Sequence, residues 1–199
     1  MPADQPNSLP EDDAHTGLVT RLALRFGVGV GILNAAWLLG LQLTGNNAFG
    51  PKQVLAQLLV PLAALVSQWL LRQQLVPDKP GVGRALGVGG LTVLVAALIS
   101  ASSVAGLASG VGEAALARNR AELTEITLAD QQARLQTQNQ PGKPAQLTLE
   151  QGRQQAEMFR QQLEITRHLS VGRMVLANFI NVLQWGMLLA VPGGIFFRE

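Results

Sequence analysis

Four stretches of the chain, at about residues 26–43, 54–71, 86–111 and 169–191, are apolar with no charged residue in their central parts. A membrane-crossing helix needs roughly 20 such residues, within a range of about 17–25, and all four reach that range. The pattern predicts an all-α membrane protein with four transmembrane helices. Pro61 lies inside the second stretch, where it removes a backbone donor and predicts a kink.

Between the third and fourth stretches the pattern changes. Residues 113–168 are rich in Gln, Glu, Arg, Ala and Leu, which are good helix formers. Leu116, Leu123, Ile126 or Thr127, and Asp130 recur at spacings of three and four, as do Leu149, Ala156, Phe159 and Leu163 further on. The run Asn139-Gln-Pro-Gly-Lys-Pro144 separates the two halves, and Thr148 with Gln151 fits a capping box. This predicts a helical hairpin extension between helices three and four, with coiled-coil-like arms over 113–137 and 148–168. If the arms continue helices three and four, each reaches about 30 Å beyond the membrane. Their apolar stripe is thin, so they need a protein partner, a second copy or the membrane surface. Leu123, Phe159 and Leu163 are the candidate partner-binding residues. The chain thus divides into a disordered polar tail (1–20), helices one to three (21–112), the hairpin (113–168), and helix four with a short tail (169–199).

Composition sharpens the picture. Of 199 residues, 48% are apolar and 14% charged, against about 25% charged in a soluble domain. There is no cysteine, which removes disulfides, thiolate metal sites, cysteine nucleophiles and cysteine-linked lipid anchors. The formal charge of +2 comes from scattered residues with no basic stripe, so nucleic acid is not an expected partner; membrane lipids are. The first apolar stretch lacks the basic start and small-residue cleavage site of a signal peptide, and reads as a retained helix. Arg21, Arg25, Arg72, Lys79, Arg84 and Arg198 lie on one side of the membrane, with Lys52 in the short loop on the other. Positive residues favour the cytoplasm, which predicts cytoplasmic termini in a bacterial inner membrane. Arg118, Arg120, Arg167 and Arg173 pull the other way.

Chemistry is sparse. Gly27 and Gly31 form one GxxxG pair and Gly106 and Gly110 another, predicting close helix packing. Asn34, Asn178, Asn181 and Gln184 are candidates for a polar intramembrane face; Gln57 and Gln68 are further amides within the spans. No Asp, Glu, Lys, Arg or His lies near the middle of a span, which counts against pumps and proton-coupled transporters. Glu113 is the carboxylate closest to a span. His15 and His168 are too far apart for a metal site, and Ser100, Ser102 and Ser103 have no base nearby. No catalytic residue, metal or cofactor is predicted.

The stretch Ala101–Phe179 contains the end of helix three, Gly112-Glu-Ala-Ala115, a Gln/Glu-rich helix with Met158 and Phe159, and the re-entry over His168–Met174. Across residues 20–191 the layout resembles a family of uncharacterised membrane proteins common in the Bacteroidota. These have three clustered membrane helices, a polar helical insertion and a last membrane helix. This chain departs from them in having no Tyr and in an insertion richer in Gln and Arg. The resemblance implies no catalytic residues. The expected role is a non-enzymatic membrane protein that mediates protein association or serves as an accessory subunit; the alternative is a small passive channel or transporter subunit.

Overall fold

The structure, a computed structural model, describes residues 11–77, 79–138, 149–167 and 169–197. Among these residues six α-helices follow in order: α1 (Glu11–Leu43), α2 (Val54–Gln57), α3 (Leu59–Leu75), α4 (Val82–Gln138), α5 (Leu149–Arg167) and α6 (Val171–Phe196). Four segments of the described residues are long and apolar enough to cross a membrane: Thr16–Leu43, Pro51–Leu75, Val82–Gly112 and Val171–Phe196. The protein is an all-α, multi-pass membrane protein with additional helix between its third and fourth spans.

The first span ends where the sequence breaks it. Gly45 has φ 75°, a conformation that a Cβ disfavours. The N–H of Asn46 donates to the Leu41 carbonyl at 2.9 Å, and that of Gly45 to Gln42 at 3.1 Å, so the last carbonyls of α1 are capped. α1 begins at Glu11, earlier than the apolar pattern alone predicts. The second span is interrupted at Leu58, between α2 and α3. Pro61, which cannot donate to the Gln57 carbonyl four residues earlier, accounts for the break.

α4 is the central helix and packs on α1, α3, α5 and α6. Its contacts with α1 and α6 are set by absent side chains. A Cβ on Gly27 would lie 2.8 Å from the Thr92 carbonyl oxygen, and one on Gly31 2.8 Å from Ile99 Cβ. On the other flank, a Cβ on Gly186 would overlap Val93, and one on Gly194 would crowd Leu86. Lipid tails are as apolar as the helices, so close van der Waals contact rather than a hydrophobic difference holds such helices together. The buried apolar residues form three clusters along the bundle. One centres on Val30, Val60, Val93 and Val182, one on Leu38, Phe49, Val104 and Met174, and one on Leu22, Leu71, Leu75 and Val88.

The extension is not a straight continuation of the third span. Gly112 has φ 71° and ψ −175°, a combination essentially confined to glycine, and it joins two helical stretches of α4 at a kink. The second stretch turns Leu116 into the cluster with Leu38, Phe49 and Met174. α5 packs against α4. Ser170 caps the start of α6, its hydroxyl accepting from the Arg173 N–H at 3.4 Å. The expected break over 139–144, the capping-box Thr148 and His168 lie outside the described residues, as do the tail before residue 11 and the side chains of His15 and Glu113.

Candidate functional site

Two sets of polar side chains stand out: one inside the bundle and one where the extension leaves it. Inside, Pro61 leaves α2 and α3 as separate helices, and Gln57 at the end of α2 points inward, 2% exposed. Gln57 Nε2 donates to Asn178 Oδ1 at 2.8 Å. Asn178 Nδ2 donates to Ser100 Oγ at 3.0 Å, and Asn181 Nδ2 donates to Gln57 Oε1 at 3.2 Å. The second, third and fourth spans are therefore joined at one level by three amides and the Ser100 hydroxyl. Asn34, 2% exposed, lies one turn beyond Gly31 on α1. Its Nδ2 has no hydrogen-bond partner among the described residues.

About three turns along α3 a second layer repeats the device. Gln68 Nε2 donates to the Ala190 carbonyl at 2.6 Å and to the Ala85 carbonyl at 3.2 Å. Its side chain fills a slot between Gly89 and Gly193, where a Cβ on either glycine would overlap it. Beside it, Thr92 Oγ1 bonds the Val88 carbonyl and Ser67 Oγ at 2.7 and 3.1 Å. Gln68 Oε1 has no partner among the described residues. In hydrocarbon each unsatisfied amide group costs several kcal/mol, so these contacts fix which helix faces meet and at what height.

At the base of the extension, Asn47 Nδ2 donates to Asn119 Oδ1 at 3.0 Å and to Glu122 Oε2 at 2.6 Å. Asn47 Oδ1 accepts the Phe49 N–H at 3.0 Å. Arg120 donates from Nε and Nη2 to the Leu169 carbonyl at 3.2 and 3.0 Å. The loop between the first two spans and the re-entry to the fourth therefore both grip the same turn of α4, Asn119 to Glu122. Trp37 Nε1 donates to the Lys52 carbonyl at 3.0 Å, tying the loop to α1 as well. Beyond this base, Ile126 (44%), Leu128 (43%), Met158 (56%) and Ile165 (54%) are exposed on α4 and α5. An open groove of about 390 Å³ between α5 and α6 is lined by Gln161, Glu164, Ile165 and Arg173.

The residues singled out from the sequence fall in different places. Asn178 and Asn181 join the inner amide layer, whereas Gln184 is exposed on the outside of α6. Gly27 and Gly31 pack on α4, while a Cβ on Gly106 or Gly110 would meet nothing within 4 Å. Leu123, Phe159 and Leu163 are half-buried on the arms. Gln57 matters more than its place in the sequence suggests, because Pro61 four residues on frees its helix end. The Asn47–Asn119–Glu122 cluster left no signal in the sequence, since polar residues in polar segments are unremarkable. Among the described residues no group of three or more His, Asp or Glu side chains is arranged to hold a metal.

No curated protein sequence and no solved structure matches the chain. Residues 25–199 match DUF4199, a family described only as protein of unknown function, and the chain belongs to that family.

Proposed function

We propose that this DUF4199 protein is a non-enzymatic membrane platform whose extension docks a different protein, in the manner of an accessory subunit. The observation that carries the reading is the exposure of Ile126, Leu128, Met158 and Ile165 on helices beyond the membrane, where water disfavours them. The base supports it. The bonds from Asn47 and Arg120 hold the second stretch of α4 against the bundle, so a partner would meet a pre-organised surface. The half-buried Leu123, Phe159 and Leu163 belong to the same arms and would shape that surface.

The test is the composition of the native complex, purified in mild detergent from its own host. A second protein should co-purify in fixed ratio, and should be lost from Met158→Glu and Ile165→Glu while the bundle keeps its thermal stability. Unchanged composition after both substitutions would overturn the reading.

The alternative is a small passive channel or transporter subunit using Asn178, Asn181 and Gln184. The mutual bonding of Gln57, Asn178 and Asn181 supports a closed bundle instead. Solute flux in liposomes that disappears with Asn178→Leu would restore the channel. The charge bias of the short loops supports cytoplasmic termini in a bacterial inner membrane and an extension on the exported side. A topology reporter fused after Glu199 should therefore signal from the cytoplasm.

A further inference from the structure

The outer face of α6 carries a polar group that the subunit cannot satisfy. Gln184 is exposed, and its side chain has no partner among the described residues. It lies 13 residues from the start of the 26-residue helix α6, which is about 20 Å at 1.5 Å per residue. Neither end of the span is therefore within reach of a glutamine side chain. Asn178, six residues earlier, turns inward and is fully bonded to Gln57 and Ser100. Gln184 is thus the amide of this helix left facing hydrocarbon, where no water competes for it.

Its neighbours on that face form a seam. Ala177, Ile180, Gln184, Met187 and Val191 are all exposed and are spaced three, four, three and four apart, the repeat by which two helices interlock. The centre of the seam is opposite the packed face: at 100° per residue it lies nearly half a turn from Asn178, Val182, Gly186 and Gly193, which are buried, while Met187 at its edge reaches back toward Gly90 of α4. α6 also gives least of itself to the subunit. In its most apolar window 28% is buried, against 44% for the second and third spans.

We propose that the covering partner is a second copy of this chain, joined through α6 with Gln184 at the centre of the contact. Two arguments select a copy over an unrelated helix. A membrane fixes the orientation of every copy, so a closed pair must be related by a two-fold axis along the membrane normal, and a residue facing that axis meets itself. A primary amide is self-complementary: Nε2 of one copy donates to Oε1 of the other, and the reverse bond forms equally. A single polar residue in the middle of an apolar heptad seam also fixes register and limits the assembly to a pair. Arg173 lies on the same stripe but near the membrane boundary, where its long side chain reaches water. The pairing is separate from the partner proposed on the extension, since Gln184 lies 11 residues along α6, about 16 Å, from Arg173 at the groove beside α5.

Because the chain contains no cysteine, oxidative cross-linking of single-cysteine variants in native membranes gives a clean test. Ile180→Cys and Met187→Cys should each give a covalent product of twice the monomer mass. Leu33→Cys, exposed on α1, should not; α1 packs on Thr92, Val95 and Ile99 of α4 and α6 on Leu86 and Val93, so the two helices flank α4 on different sides. Gln184→Leu should reduce the cross-linked fraction at least tenfold without changing expression or thermal stability, and Gln184→Asn should retain most of it. The proposal fails if Ile180→Cys and Met187→Cys stay monomeric. It also fails if Leu33→Cys cross-links as well as they do, if the product contains a different protein, or if Gln184→Leu pairs as strongly as the natural chain.

Discussion

Inside the bundle, Gln57, Ser100, Asn178 and Asn181 turn toward one another and away from lipid. On the arms beyond it, Ile126, Leu128, Met158 and Ile165 turn outward. Each region places its minority chemistry differently, and solvent explains why. In hydrocarbon an amide finds no partner except another protein group, so the amides converge and lock helix faces together. In water an apolar side chain is disfavoured but tolerated singly, and with little core available the arms leave theirs open. The interior of the bundle is therefore specified by contacts within the chain. The extension is held at its base and left unfinished at its surface.

If this contrast is right, the largest effect should come from forcing apart two helices that touch by backbone. A side chain at Gly27 would meet the Thr92 carbonyl, which cannot rotate away. Gly27→Leu should destabilise the protein by about 1–3 kcal/mol, the usual cost of overpacking, read as a lowered unfolding midpoint in detergent. Gly110→Leu, at a glycine with open space around it, should change stability by less than about 0.5 kcal/mol. Equal losses at the two glycines would remove the distinction between packed and open helix faces.

That pair of glycines also shows what could be read from the sequence. Lengths and hydropathy were enough for four spans, and the loss of apolar pattern after residue 112 was enough for an added helical region. Both GxxxG pairs were visible, but spacing does not say which way a face points, and one pair packs while the other does not. The amides show the same limit in a different form. Asn178, Asn181 and Gln184 are spaced by three, and each step of three falls 60° short of a full turn. Over two steps the face rotates by 120°, which carries Gln184 from the bundle to the outside. The base of the extension was hidden for another reason: Asn47 and Asn119 are 72 positions apart, and nothing in either polar segment marks them as partners.

The next effect in size tests the inner layer. Asn178→Leu removes the acceptor for Gln57 and the donor to Ser100, leaving buried polar groups unmatched. A loss of about 1–2 kcal/mol is expected. The double variant Gln57→Leu with Asn178→Leu should lose less than the sum of the two single variants, because neither then strands the other. Strict additivity would mean that the layer does not act as a unit.

A smaller and more local effect is expected at the base of the extension. Asn47→Ala deletes the bonds to Asn119 and Glu122 and should cost about 0.5–1.5 kcal/mol. The change should show as faster amide exchange in the stretch of α4 after Gly112, with protection of the span before it unchanged. Loss of protection along the whole of α4 would show that bundle and extension form one cooperative unit.

The smallest effect is the most informative about the interior. Asn34 is 2% exposed, yet its Nδ2 has no partner among the described residues. It is therefore the one amide at the level of the inner layer whose removal strands no other group in the bonds seen there. Replacing a buried unsatisfied donor by an apolar group of similar shape is neutral or favourable, so Asn34→Leu should be unchanged or stabilised by up to about 1 kcal/mol. The sign is what matters, because Asn178→Leu at the same depth is expected to go the other way. If Asn34→Leu instead destabilised the protein as much as Asn178→Leu, a bound water or small polar ligand would have to complete the Asn34 site. The interior of the bundle would then be unfinished as the arms are, and the contrast between the two regions would fail.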